Sequence, residues 1–209
     1  MGIYTPDVSF ATLPHMRIIA GEFRGRKLLP PQSEVTRPVT DRVKQSLFDI
    51  LSPNLPEAVV YDCFAGTGSM GLECLSRGAK HVTFFEADRS AADRLRRNID
   101  TLGVKDRSTI ITGDLFKWFA AASTKGKADL IFLDPPYRFL REKPAELVTL
   151  ASQFQNHLTE TGIVIFRHDA ADSLALPPLQ VADVRTYGSM TLEFLTQPTT
   201  NNGQLTTDN

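Results

Sequence analysis

Val59-Val60-Tyr61-Asp62-Cys63-Phe64-Ala65-Gly66-Thr67-Gly68-Ser69-Met70-Gly71 is the stretch on which the fold turns. VVYDCF (59 to 64) reads as a buried strand and SMGLECLSRG (69 to 78) as a helix closed by Gly78. Between them, glycines let the backbone turn tightly and come close to a ligand, and the free amides of a starting helix face that ligand. The same grammar repeats downstream. HVTFFEAD (81 to 88) is a second strand, a helix from about Arg89 to Leu102 ends at Gly103, and STIITGD (108 to 114) is a third strand. A short helix carries Phe116, Phe119 and Ala120, and KADLIFLDPPY (127 to 137) is a fourth strand that stops at a double proline, which cannot donate to a ladder. A helix from about Pro144 to Asn156 and a strand at GIVIFRHD (162 to 169) follow, and QVADVRTYGSMTLEFL (180 to 195) reads as two strands joined at Tyr187-Gly188-Ser189 with no room for a helix. The expected fold class is α/β, a parallel sheet finished by an antiparallel hairpin.

Upstream of the sheet, residues 16 to 52 form a distinct element. MRIIAGEFRGRKLL suits a hairpin about Gly21 or Gly25, and TDRVKQSLFDIL an amphipathic helix with Val43, Leu47, Ile50 and Leu51 on its apolar face, Thr40 as N-cap and Asp41 in the first turn. Residues 1–15 show no pattern and read as a loose arm. The small, polar residues 196–209 read as a disordered tail, which leaves 53–195 for the sheet domain. The 209 residues, 42% hydrophobic and 22% charged, exclude a collagenous, coiled-coil or wholly disordered chain and provide for one substantial core. Cys63 and Cys74 have no partner at metal-ligand spacing, so neither a disulfide framework nor a metal site is expected, and both read as small core residues. No run approaches the roughly 18 apolar residues of a membrane span. A soluble, cytoplasmic monomer is expected.

Gly66, Gly68 and Gly71 match G-x-G-x-x-G, and Glu86 lies twenty residues after Gly66 at the end of the next strand, where an acid can hold ribose hydroxyls. Taken alone, this suits a dinucleotide as well as it suits S-adenosylmethionine. The tetrapeptide Asp134-Pro135-Pro136-Tyr137 ends the fourth strand and so borders the same carboxyl-edge crevice. Hydride transfer has no use for it, whereas methyl transfer to a planar amino group does. The Asp134 carboxylate and the Pro135 carbonyl can accept that amine's protons, Pro136 stiffens the backbone, and Tyr137 can stack on the base. The candidate cofactor-binding set is Asp62, Phe64, Ala65, Gly66, Thr67, Gly68, Glu86 and Asp114, the last placed either to bond an adenine amine or to cap the following helix. His15, His81, His157 and His168 have no partners at catalytic spacing.

Net charge is -1 over the whole chain, so no overall bias toward nucleic acid exists. Residues 16 to 44 nevertheless hold seven basic and three acidic side chains, +4, which leaves -5 for the remainder. Arg17, Arg24, Arg26, Lys27, Arg37 and Arg42 are the candidate RNA-contacting residues, with glycines that let arginines follow a phosphate backbone.

These residues resemble the RsmD family of bacterial 16S ribosomal RNA guanine-N2 methyltransferases from Met16 to Leu195. The motifs that carry the likeness are MRIIAGEFRGRKL, TRPVTDRVKQSLFDIL, DCFAGTGSMGLECLSRGA, the acid in FFEAD, DPPY and RTYGSMTLEFL. The resemblance implies a seven-stranded Rossmann-like sheet with a small N-terminal extension that contacts RNA, and S-adenosylmethionine as cofactor. It also implies a guanine of the 966 type in 16S ribosomal RNA, free or in the assembling small ribosomal subunit, as acceptor. Cys63 stands where such sequences often have leucine. Alternatives at this level are a DNA or protein-amide N-methyltransferase with the same tetrapeptide, an NAD-dependent oxidoreductase, and a non-catalytic RNA-binding module.

Overall fold

Strand and helix alternate along the chain, as expected, in the computed structural model, which describes residues 16–31, 39–121 and 127–198. The arm at 1–15 and the tail from 199 onward lie outside the described residues. In chain order the elements are α1 (Asp41–Leu51), β1 (Val59–Cys63), α2 (Ser69–Ser76), β2 (His81–Glu86), α3 (Arg89–Leu102), β3 (Ser108–Thr112), α4 (Leu115–Ala121), β4 (Ala128–Leu133), α5 (Phe139–Glu142), α6 (Pro144–Phe154), β5 (Leu158–Asp169), β6 (Gln180–Tyr187) and β7 (Met190–Thr196). Local chemistry sets several of these ends. Thr40 Oγ1 accepts the Val43 amide at 3.4 Å to start α1, Asp88 Oδ1 accepts the Ala91 amide at 2.7 Å to start α3, and Gly103 closes α3 at a φ of 70°.

Several boundaries differ from expectation. β4 stops at Leu133, four residues before Tyr137, because Pro135 and Pro136 have no amide to give a neighbour. β1, β2 and β3 likewise end where the chain leaves the sheet, so Phe64, Asp88 and Asp114 belong to loops. β5 starts at Leu158 instead of Gly162, since Leu158 pairs with Ala128 before the register shifts. Thr196, expected to open the tail, ends β7.

The seven strands lie in the order β3-β2-β1-β4-β5-β7-β6, with β1 to β5 parallel and β7 antiparallel to both its neighbours. Successive strand residues serve opposite cores. Val60, Leu130, Phe132 and Ile165 join α1, α2 and α3 on one face, and Tyr61, Ile131, Leu133, Val164 and Phe166 join α4 and α6 on the other. The segment ahead of the sheet therefore shares the sheet's core, with Ile18, Leu28, Val43, Leu47, Phe48 and Leu51 all buried in it. Ile50, expected on that apolar face, is 39% exposed. Its place is taken by Phe48, whose ring meets Phe132 of β4 at 6.0 Å, because the buried stripe centres on Leu47 and Leu51 and leaves Ile50 at its margin.

The expected N-terminal hairpin is present as one antiparallel bridge, Arg17 to Lys27; the Ile18 amide donates to the Arg26 carbonyl at 3.0 Å and the Ile18 carbonyl accepts the Gly25 amide at 2.9 Å near the turn. The Glu73 carboxylate anchors it. That group accepts from the Ile19 amide (2.8 Å), the Ala20 amide (3.0 Å), Lys44 Nζ (3.0 Å) and Arg77 Nε (2.9 Å), and the Lys44 and Glu73 side chains are 3% and 0% exposed. Burial alone would push the Glu73 carboxyl up; Lys44, the Ile19 amide and Arg77 outweigh it and hold the carboxyl below its ordinary value.

Candidate active site

β1 and β4 are neighbours at the point where the strand order reverses, which opens a crevice beyond their carboxyl ends. Cys63 lies opposite Leu133, so the loop after β1 and the tetrapeptide after β4 leave the sheet side by side. In the loop, Phe64, Gly66 and Gly68 have φ of 63°, 57° and 86°. The Ala65 amide donates to the Phe85 carbonyl at 2.9 Å and the Gly68 amide to the Ala65 carbonyl at 2.8 Å. A Cβ on Gly71 would overlap the Phe84 ring and Val82, so the third glycine is required by the contact of α2 with β2. The buried Asp62 accepts the Gly71 amide on Oδ2 at 2.9 Å; burial and the nearby Asp134 push its pKa up to about 7 against that bond. Thr67 turns inward, its hydroxyl toward Met16 Sδ at 3.5 Å, while its carbonyl accepts from Asn98 at 2.9 Å.

Glu86 reaches this loop. Its Oε2 accepts the Gly66 amide at 2.6 Å and its Oε1 the Asp88 amide at 2.7 Å, and the Ala87 amide also bonds the carboxylate; burial raises its pKa against these bonds, and the group keeps capacity for a further donor. Asp114 caps α4, Oδ1 accepting from the Phe116 amide (2.9 Å) and the Lys117 amide (3.4 Å). Of the two roles expected for it, the cap is formed. The Phe64 ring stands edge-on to Phe116 (6.1 Å) and Phe139 (5.7 Å), an aromatic wall beside the loop that the glycine pattern did not indicate.

Asp134 is not alone at the end of β4. Arg167 of the adjacent β5 donates from Nε to Asp134 Oδ1 at 2.6 Å, with side-chain exposures of 7% and 23%. The same guanidinium lies 5.8 Å from the Tyr137 ring centre and 3.9 Å from Met190 Sδ. Burial raises the Asp134 pKa, and Arg167 pulls it back by charge and hydrogen bond. The Pro136 carbonyl accepts the Phe139 amide at 2.7 Å, which holds Tyr137 in a turn. Among the described residues no donor reaches the Pro135 carbonyl. Arg167 was not among the expected site residues. Its signal was an arginine inside the apolar run GIVIFRHD, which needs an acid nearby once the strand is buried.

The family model described as "Conserved hypothetical protein 95" matches residues 16–196. The rRNA methyltransferase YlbH of Bacillus subtilis is 35% identical over 179 residues, 83% of this chain and 94% of that one. The ribosomal RNA small subunit methyltransferase D of Haemophilus influenzae is 42% identical over 125 residues, 59% of this chain and 65% of its own length. The chain belongs to the RsmD family. Its fold agrees with a solved Escherichia coli structure described as the methyltransferase yhhF, at a TM-score of 0.75 and 28% identity, covering 88% of this chain and 98% of that one.

In this RsmD-family chain the basic segment is less uniform than its composition suggests. Arg24, Arg26 and Lys27 are exposed, and so is Arg42 on α1. Arg17 is paired with Asp41 at 2.8 Å. Lys44, which counts toward the +4, is neutralised in the interior by Glu73, so the surface excess is smaller than the sequence count. Arg37 lies outside the described residues. Among the described residues no group of three or more His, Cys, Asp or Glu is placed to hold a metal ion, and no helix is long and apolar enough to cross a membrane.

Proposed function

We propose that this protein transfers a methyl group from S-adenosylmethionine to the exocyclic N2 amine of a guanine in 16S ribosomal RNA, of the 966 type, acting in the cytoplasm as a monomer on free RNA or the assembling small subunit. The observation that carries this is the pair of acceptors at the end of β4, the Asp134 carboxylate and the unengaged Pro135 carbonyl, set beside the glycine loop.

The loop suits the cofactor. No atom lies within 4 Å of where a Gly66 Cβ would stand, and that glycine has a positive φ, so a backbone cradle is open there. Phe64 to Gly68 would hold the cofactor's amino-acid end, Glu86 its ribose through the acceptor capacity its three amide bonds leave, and Asp114 its adenine amine through Oδ2. Bound there, S-adenosylmethionine supplies a methyl group on a cationic sulfur. Asp62, committed to the Gly71 amide, supports the loop from beneath.

An aromatic amine is a weak nucleophile because its lone pair is delocalised. Asp134 Oδ2 and the Pro135 carbonyl would each accept one of its N–H bonds, which orients the nitrogen and favours its rehybridisation, while Tyr137 stacks on the base. Arg167 keeps Oδ1 occupied, so Asp134 presents a single oxygen in a defined orientation, and the guanidinium counters the upward push of burial on its pKa. As positive charge develops on the nitrogen, that carboxylate stabilises it and can take the departing proton. An oxidoreductase would leave Asp134, Tyr137 and Arg167 without a purpose, and the exposed Arg24, Arg26 and Lys27 favour a polyanionic acceptor over a protein amide.

The deciding experiment is transfer of labelled methyl from S-adenosylmethionine to undermethylated ribosomal RNA, followed by mapping of the modified base. Asp134→Ala should lose turnover by a factor of at least a hundred and keep cofactor affinity within a few-fold. Near-native turnover in that variant, or methylation of DNA or protein in place of RNA, would refute the assignment.

A further inference from the structure

A cavity of about 650 Å³ lies between the first two turns of α1 and the β6–β7 turn. Thr40, Arg42, Val43 and Ser46 line it from the helix, Tyr187, Gly188, Ser189 and Met190 from the turn, and Tyr137 closes it toward the tetrapeptide. We infer that this cavity receives one unstacked nucleotide of the RNA substrate, with its base against Tyr137, its phosphate on Arg42 and the Ser46 and Tyr187 hydroxyls as its polar wall. This rests on the methyltransferase reading above and adds to it the acceptor's binding residues, none of which except Tyr137 belongs to the tetrapeptide or the glycine loop.

The sheet order supports the placement. The cofactor-side groups stand at the ends of β1, β2 and β3, Asp134 at the end of β4, and Arg167 on β5. Met190 pairs with both Asp169 and Tyr187, so the β6–β7 turn reaches the same edge of the sheet from the far side of Asp134. Donor loop, Asp134 and cavity therefore follow one another along that edge, the order that a transfer between two ligands requires. Arg167 joins the last two, touching Asp134, the Tyr137 ring and Met190 Sδ together.

The lining matches a nucleotide in kind. Arg42 is the single charged residue in it and has no ion partner among the described residues, whereas its neighbour Asp41 is already paired with Arg17. An unopposed guanidinium in a site without carboxylates takes an anion, and the RNA strand supplies phosphates. Tyr137 and Tyr187 offer aromatic surface for a base. The Ser46 and Tyr187 hydroxyls, 2.8 Å apart, tie α1 to β6 and can each give or accept a further bond. A volume of this size, within the roughly 300–1,000 Å³ of sites that bury whole small ligands, exceeds the need of one planar ring and admits its sugar as well. A base still stacked in a helix cannot enter it, so the target must be unpaired or extruded.

Methyl transfer to undermethylated ribosomal RNA by the full chain tests this through three variants. Arg42→Ala removes the cation, Ser189→Trp fills the cavity mouth, and Arg97→Ala, exposed on α3, is a charge-matched control. The inference expects KM for RNA to rise about tenfold or more in the first two, S-adenosylmethionine affinity by calorimetry to stay within twofold, and the control to match wild type. Wild-type transfer with Arg42→Ala and Ser189→Trp both within twofold for RNA overturns the cavity assignment and leaves the methyltransferase reading standing. Loss of cofactor affinity in both variants overturns it too, as would a KM effect equalled by the control. Absence of any transfer to RNA by the wild type refutes the function itself, a result separable from the others.

Discussion

Replacing Arg167 by methionine tests how Asp134 is held. The pair is short, 2.6 Å, and its side chains are 7% and 23% exposed. Removing one member of a buried ion pair costs about 3–5 kcal/mol, because the partner's charge is left without compensation. Asp134 keeps some contact with water and can take up a proton, so the lower end, about 3 kcal/mol, is expected. For a chain of this size that corresponds to roughly 6–12 °C in Tm. The pH dependence has a definite sign. Burial already raises the Asp134 pKa and Arg167 opposes it, so without Arg167 the pKa rises further and the acid limb of kcat moves to higher pH. Arg167 and the more distant Asp62 carboxylate are the groups whose charge bears on it, and Tyr137 bears on Arg167 in turn. Urea denaturation and a pH–rate profile measure the two effects. Asp134→Asn in the Arg167→Met background should restore most of the lost stability, since no bare charge then remains. A change in stability below about 0.5 kcal/mol together with an unmoved acid limb would refute this account of the ion pair.

Three further outcomes are expected. Asp62 keeps its proton up to about pH 7 when folded but loses it near 3.9 when unfolded, so its contribution is fully present below pH 4 and is lost as pH rises toward 7. Asp62→Asn, whose carbonyl can still accept the Gly71 amide, should therefore gain stability relative to wild type between pH 5 and pH 8, by about 2–4 kcal/mol in urea titrations. Gly71→Ala forces a methyl group into the Phe84 ring and Val82, and should lower stability by about 1–3 kcal/mol despite alanine's better helix propensity, as measured by thermal unfolding. Glu73→Gln leaves Lys44 and Arg77 without their buried counter-ion, and should cost about 3–5 kcal/mol and speed proteolysis within residues 16–31; unchanged cleavage would separate the anchor from the hairpin's order.

Local pattern carried most of the architecture. The helix expected from Arg89 to Leu102 has those bounds, because an aspartate cap and a closing glycine act within a few residues of the backbone they satisfy. The glycine loop and the tetrapeptide were legible for the same reason. Each is a short run whose residue types permit few backbone paths, and strand–helix alternation brings both to one edge of the sheet. Ile50 and Phe48 mark the limit of such reasoning, since a helix's buried stripe can rotate by one residue without altering its period.

The sequence by itself thus determined the α/β class, the strand and helix succession, the glycine turn and the position of Asp134 and Pro135 just past the end of the fourth strand. Tertiary structure alone decided that Arg167, 33 residues from Asp134, would clamp it, that Lys44 would spend its charge inside the protein, and that Arg42, Ser46 and Tyr187 would meet around one cavity. Periodicity and capping are interactions between near neighbours along the chain. These meetings depend instead on which strands lie side by side, β5 against β4 and β7 between β5 and β6, and that order is set by burying two cores at once.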